Sequence, residues 1–190
     1  MAEWIGINRR ARRCYGFDEV ALVPGDKTIN PQEVDSTFEI DNRKFNIPIL
    51  AAAMDGVVDV KFAIEMSKLG GIAVLNLDGV QTRYDNPNAV LEKISQATPQ
   101  KATELIQSLY TTPIKEKLIS KRIKQIKEKK AVAVVSCIPM HAERFAKIAV
   151  SAGADMFVVQ STVTSTKHLA KEYKSLDLFK FCKKIKIPVI

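Results

Sequence analysis

A chain of 190 residues with 46% hydrophobic and 26% charged residues has the makings of one ordinary globular domain with a sizeable core, which excludes a disordered or fibrous chain. No apolar stretch approaches the roughly 20 residues of a membrane span, and Arg9, Arg10, Arg12 and Arg13 are not followed by the apolar core of a signal peptide. The three cysteines, Cys14, Cys137 and Cys182, lack the spacing of a zinc site or a disulfide framework, so a cytoplasmic, reducing setting is expected.

Residues 1–46 read as a lead-in, with turn signals at Pro24-Gly25 and Asn30-Pro31. From residue 47 onward, apolar runs of strand length alternate with segments of helical period. The first run is Ile47–Met54. Asp59 then caps a helix whose apolar face is Phe62, Met66 and Leu69, and Gly70-Gly71 ends it. A second run spans Ile72–Leu75. The long interval that follows holds a helix near Pro87–Gln96, another near Lys101–Tyr110, and a lysine-rich helix with Ile119, Ile123 and Ile126 on one stripe. The third run, Ala131–Val135, leads to a helix with Pro139 in its first turn and Phe145, Ile148, Ala149 and Ala152 on one face, stopped by Gly153. After the fourth run, Met156–Val159, Asp177 caps a helix with Leu178, Phe181, Cys182 and Ile185 inward. A fifth run is Ile187–Ile190.

The net charge of +8 is local. Residues 115–130 carry +6 and 167–186 carry +5, leaving about −3 for the rest. Two solvated helix faces account for the basic character. A surface for single-stranded nucleic acid would want aromatic residues among the lysines of residues 115–130, and there are none; a solvated helix face is the expectation over nucleic acid.

Alternation of strand and helix at this spacing predicts an α/β fold with a parallel sheet. Pattern alone leaves a (β/α)8 barrel and an open doubly wound sheet both possible. In either, sites are built at the C-terminal ends of the strands, and the small residues Ala51, Ala52 and Ala53 lean toward close ligand or backbone approach there.

Four motifs in order narrow the choice: Phe17-Asp-Glu-Val-Ala-Leu-Val-Pro-Gly25, Ala51-Ala-Ala-Met-Asp-Gly-Val57, Leu69-Gly-Gly-Ile-Ala-Val-Leu-Asn76 and Ala152-Gly-Ala-Asp-Met-Phe-Val-Val159. Together they resemble the opening half of the inosine monophosphate (IMP) dehydrogenase and guanosine monophosphate (GMP) reductase family, from about Arg9 to the last residue. The 55 residues from Asn76 to Lys130 have no room for the paired CBS modules many dehydrogenases carry there. The stretch Leu77-Asp-Gly-Val-Gln-Thr-Arg-Tyr-Asp-Asn-Pro87 looks most like the CBS-less, IMP dehydrogenase-related branch. The resemblance implies a (β/α)8 TIM barrel, here its N-terminal half of four βα units and a fifth strand (residues 47–190). It also implies a purine nucleoside monophosphate as substrate, NAD or NADP as cofactor, and a homo-oligomer, usually a tetramer.

The resemblance assigns nucleotide contacts to Met54, Ala52 and Asn76. Ala52 stands where many members have serine, and Asn76 where dehydrogenases often have histidine. Gln160, Ser161 and Thr162 fall where the family's Asp-Ser-Ser run meets the nicotinamide ribose. The amide of Gln160 can bond a ribose hydroxyl but brings no charge. In the family, a cysteine on a loop after the sixth strand attacks carbon 2 of the purine. That loop has no counterpart in these 190 residues. Cys137 is the one cysteine at a strand end, but no His or Lys adjoins it, and a small buried residue is the expectation. Cys182 reads as core. His141 and His168 have no ligand-like spacing. The expected function is IMP to XMP oxidation with NAD. The alternatives are GMP reduction to IMP with NADPH, an inactive half-barrel that dimerises or docks a complementing half, and, on charge alone, a basic binding module.

Overall fold

The structure, a computed structural model, describes residues 2–162, 165–166 and 175–190. The chain divides into two compact units, residues 1–35 and residues 36–190. In the first, strands β1 (Ala2–Trp4) and β2 (Arg10–Arg12) form an antiparallel pair. Two of the four arginines lie over aromatic rings there: Arg10 is 4.8 Å from the Trp4 ring centre and Arg13 is 5.0 Å from that of Tyr15.

The second unit opens with a hairpin of β3 (Phe38–Ile40) and β4 (Arg43–Phe45). Its two-residue turn, Asp41-Asn42, has φ of 49° and 61°, the type I′ geometry that matches strand twist. Next come β5 (Leu50–Ala51), α1 (Val60–Lys68), β6 (Ile72–Asn76), α2 (Val80–Arg83), α3 (Pro87–Ser95), α4 (Pro99–Tyr110), α5 (Glu116–Glu128), β7 (Val134–Cys137), α6 (Pro139–Ala152), β8 (Met156–Val159) and α7 (Leu178–Lys184). Strands β5 to β8 form a parallel sheet in sequence order. A fifth strand begins beside β8: Val189 bridges Phe157, and the Ile190 N–H donates to the Phe157 carbonyl at 3.0 Å. This is the N-terminal half of a (β/α)8 barrel.

Alternation along each strand separates two cores. Ala73, Leu75, Val135, Cys137 and Phe157 face the helices, where they meet Ile119, Ile123, Ile126, Phe145 and Ala149. Ile72, Val74, Val134 and Met156 face the other way, toward Phe45, Phe38 and Ile40 of the hairpin. The hairpin thus covers the inner face at the N-terminal ends of the strands. Its two phenylalanines stack at 5.1 Å.

Helix ends follow local chemistry. The Asp59 carboxylate accepts from the Phe62 N–H at 2.7 Å and that of Asp177 from the Lys180 N–H at 3.0 Å. Pro139 occupies the first turn of α6, and Gly153 ends it at φ 93°, a left-handed cap. Four expectations are corrected. The Ile47–Met54 run pairs only at Leu50–Ala51, since Pro48 has no N–H to donate and the chain turns after Ala51, where the Met54 N–H bonds the Ala52 carbonyl at 2.8 Å. The third strand lies at Val134–Cys137, three residues later than the apolar run suggests. On α1 the inward stripe is Ala63 and Met66, whereas Phe62 and Leu69 are exposed, a rotation of the face by one residue. On α7 Phe181 is buried and Cys182, turned about 100° away, is exposed, so Cys182 is not core.

The N-terminal end of the sheet is fastened by Asp155, just before β8. Its buried carboxylate takes Lys127 Nζ of α5 at 2.7 and 2.9 Å, Arg43 of the hairpin at 2.7 Å, and the Ala133 N–H at 2.8 Å. Elsewhere, buried Arg122 of α5 gives its protons to the carbonyls of Gln81, Tyr84 and Asp85 and to the Gln125 side chain, tying α2 to α5.

Candidate functional site

At the opposite, C-terminal end the inner face turns polar on β6 and β7 and after β8, with Val158 the apolar exception. Register pairs Asn76 of β6 with Ser136 of β7, and Ser136 with Val158 of β8. Ser136 Oγ lies 3.5 Å from the Gln160 side-chain oxygen, and the Gln160 N–H donates to the Cys137 carbonyl at 2.9 Å. Asn76, Ser136 and Gln160 therefore form a row along the strand ends. Ser161 and Thr162 follow it, exposed. In a barrel this is the end at which chemistry is assembled.

Beside Asn76 stands the loop after β5. Ala52 is exposed and Met54 is 56% exposed, a large apolar side chain left open at the mouth. The loop is held by the Val57 and Val58 N–H groups, both 2.9 Å from the Met54 carbonyl, and by Asp55. The Asp55 carboxylate accepts from Val80 N–H at 2.8 Å, from the Asn76 amide at 3.4 Å and from the Tyr110 hydroxyl. A Cβ on Gly79 would overlap this carboxylate, so any larger residue there must displace Asp55 from its bonds. Asn76 is engaged at both ends, because its oxygen accepts from the Asp78 N–H at 2.9 Å. Its amide thus sets the two loops, and it presents to the inner face only what these bonds leave over.

Asp78 itself caps α6. One oxygen accepts from the Ile138 N–H at 2.7 Å and the other is 2.5 Å from His141 Nδ1. His168 lies outside the described residues. Among the described residues, no cluster of three His, Cys, Asp or Glu side chains is placed to hold a metal ion.

Cys137 ends β7, but its register turns it to the helix side, where it is 1% exposed. Burial, and secondarily the Asp78 charge, push its thiol well above the usual range. A thiolate nucleophile facing the mouth is the opposite of this. Iodoacetamide applied to the native protein is expected to alkylate exposed Cys14 and Cys182 and to reach Cys137 only after denaturation. Native labelling of Cys137, read by peptide mass, would overturn that placement.

Asp55, Asp78, Ser136 and Tyr110 are parts of this end that reading the sequence missed. Ser136 was within reach, since it alternates with inward Val134. Tyr110 lies 55 positions from Asp55, and nothing local marks the pair.

Residues 14–185 match the family model described as the IMP dehydrogenase / GMP reductase domain. The chain belongs to that family. It is similar to an uncharacterized oxidoreductase of Mycobacterium tuberculosis, 31% identical over 98% of this chain and 51% of the relative. It also resembles the inosine-5'-monophosphate dehydrogenase of Methanocaldococcus jannaschii, 39% identical over 66 residues, which is 35% of this chain and 13% of that one. Among solved structures, an IMP dehydrogenase/GMP reductase-like protein of Corynebacterium glutamicum superposes with a TM-score of 0.86 at 31% identity, over 99% of this chain and 50% of the other. The chain thus spans about half the length of the Mycobacterium tuberculosis and Corynebacterium glutamicum relatives. Among the described residues, no helix of this family member is long and apolar enough to cross a membrane.

Proposed function

We propose that residues 47–190, behind a lead-in of residues 1–46, form the part of a cytoplasmic purine nucleotide oxidoreductase that seats a purine nucleoside monophosphate. The single observation that carries this is the arrangement at the C-terminal end of the sheet, where exposed Met54 lies in the loop that Asp55 bonds to Asn76, in the polar row of Asn76, Ser136 and Gln160. The sulfur and methyl of Met54 give a soft apolar surface for a purine face, with Ala52 beside it. The exposed Gln160 amide suits neutral ring and ribose atoms, and Ser136, fully buried, backs it.

A nicotinamide cofactor fits the β8 end of the row. Gln160, Ser161 and Thr162 are exposed there and offer an amide and two hydroxyls, the partners that ribose hydroxyls need. When bound, NAD or NADP would take up or supply the hydride. The favoured reaction is oxidation of IMP to XMP with NAD. GMP reduction to IMP with NADPH is the second reading, favoured by Asn76 at the position where dehydrogenases often have histidine. Covalent attack at purine carbon 2 requires a thiolate, which buried Cys137 does not supply. Binding rather than turnover is therefore the activity expected of these 190 residues alone. Closure of the barrel, by further strands of the same polypeptide or by a complementing half, and assembly into a homo-oligomer belong to the same proposal.

Calorimetric titration with IMP and GMP tests it. Saturable binding is expected, weakened about tenfold by Met54→Ala, since burying a side chain of that size contributes roughly 1.5 kcal/mol. No binding of either nucleotide, or binding indifferent to Met54→Ala, would contradict it.

A further inference from the structure

Helices α3 and α4, in the long interval between β6 and α5, bury none of their own residues, yet the last residue of α4 reaches the mouth. We infer that Tyr110 is a positioning residue for the nucleotide site: its hydroxyl, donated to Asp55, fixes the loop that presents Met54. The inference rests on the reading of that loop given under Proposed function.

The end of α4 is itself anchored. Tyr84 donates to the Leu109 carbonyl at 2.8 Å and lies 2.8 Å from Thr112 Oγ1. Arg83 bonds the Thr112 carbonyl and sits 5.4 Å from the centre of the Tyr110 ring. Tyr110 therefore comes to Asp55 from a fixed base. Burial first, then Asp55, raises the affinity of the phenol for its proton, which keeps it a donor. Asp55 has two other donors, both from the β6–α2 side. The phenol is the contact that binds it to the α4 side. With one side released, Met54, the neighbour of Asp55, loses its fixed direction, and a preformed site becomes one that the ligand must order.

The test uses Tyr110→Phe, which keeps the ring against Arg83 and deletes only the hydroxyl. Hydrogen exchange at the Val57 and Val58 amides reports the loop. It is expected to quicken about tenfold, with amides of Val134–Cys137 quickening no more than the loop and the melting midpoint falling by only a few degrees. IMP or GMP affinity should fall about tenfold, and Tyr110→Ala should do no less. Unchanged exchange at Val57 and Val58 would overturn the inference. A larger quickening in the sheet than in the loop would also overturn it, by making Tyr110 a general stabiliser, as would faster loop exchange with undiminished affinity. If the parent protein binds neither nucleotide, the proposed site fails, while loop exchange still shows whether Tyr110 holds the loop.

Discussion

Asp155→Ala is expected to destabilise the protein by about 3 kcal/mol, lowering the melting midpoint by roughly 10 °C. The carboxylate is buried and holds cations from two elements, Lys127 of α5 and Arg43 of the hairpin. It also satisfies the Ala133 N–H, and Ala133 is fully buried. Removing it orphans that donor and releases the plug over the inner face. The cations are partly exposed and regain water, so the loss sits at the lower end of what a buried pair costs. Glu65→Ala is the contrast. Its partner Lys68 lies at 2.8 Å, but both side chains are more than half exposed, and a change within about 0.5 kcal/mol is expected. Chemical denaturation of both variants reads the difference. A loss below 1 kcal/mol for Asp155→Ala would remove Asp155 as the fastening of the N-terminal end.

Gly79→Ala is expected to be the most damaging single methyl added at the mouth. The new Cβ overlaps the Asp55 carboxylate, which must then leave the Val80 N–H and the Tyr110 hydroxyl. A loss of about 2 kcal/mol in stability and at least tenfold in IMP or GMP affinity should follow, since steric overpacking and a broken polar network add. Gly56→Ala lies in the same loop, with no atom within 4 Å of a Cβ there, and should leave stability unchanged. Equal tolerance of the two substitutions would mean that Asp55 does not hold the loop.

Much of the layout was legible because it is locally encoded. The 3.6-residue period of Ile119, Ile123 and Ile126 placed α5 and its buried stripe, all three being 0% exposed. Capping chemistry placed the starts at Asp59 and Asp177 and the stop at Gly153. The family motifs led to the half-barrel and to the end of the sheet where the site is proposed. What escaped has physical reasons. The β3–β4 hairpin has strands of three residues, too short for a period of two to register. Phe62 and Leu69 of α1 and Cys182 of α7 were misplaced, although Met66, Leu178, Phe181 and Ile185 do pack inward, because an apolar stripe fixes a helix better than its rotational phase. Asp155 and Asp55 each gather partners from several elements far apart in sequence, and such clusters become visible only once the chain is folded. The sites carried over by resemblance name side chains, but the bonds between Asn76, Asp55 and Tyr110 are what set their positions.

Methionine-methyl NMR on protein labelled at its five methionines, titrated with IMP and then GMP, bears most directly on the mouth as a nucleotide site. The Met54 methyl, exposed at the C-terminal end, should shift and saturate with ligand, while Met66, buried on the inward face of α1, and Met156, at the opposite end of β8, stay in place. Saturation with Met54 unmoved, or with the largest shift at Met66 or Met156, would contradict a nucleotide seat at this end of the sheet.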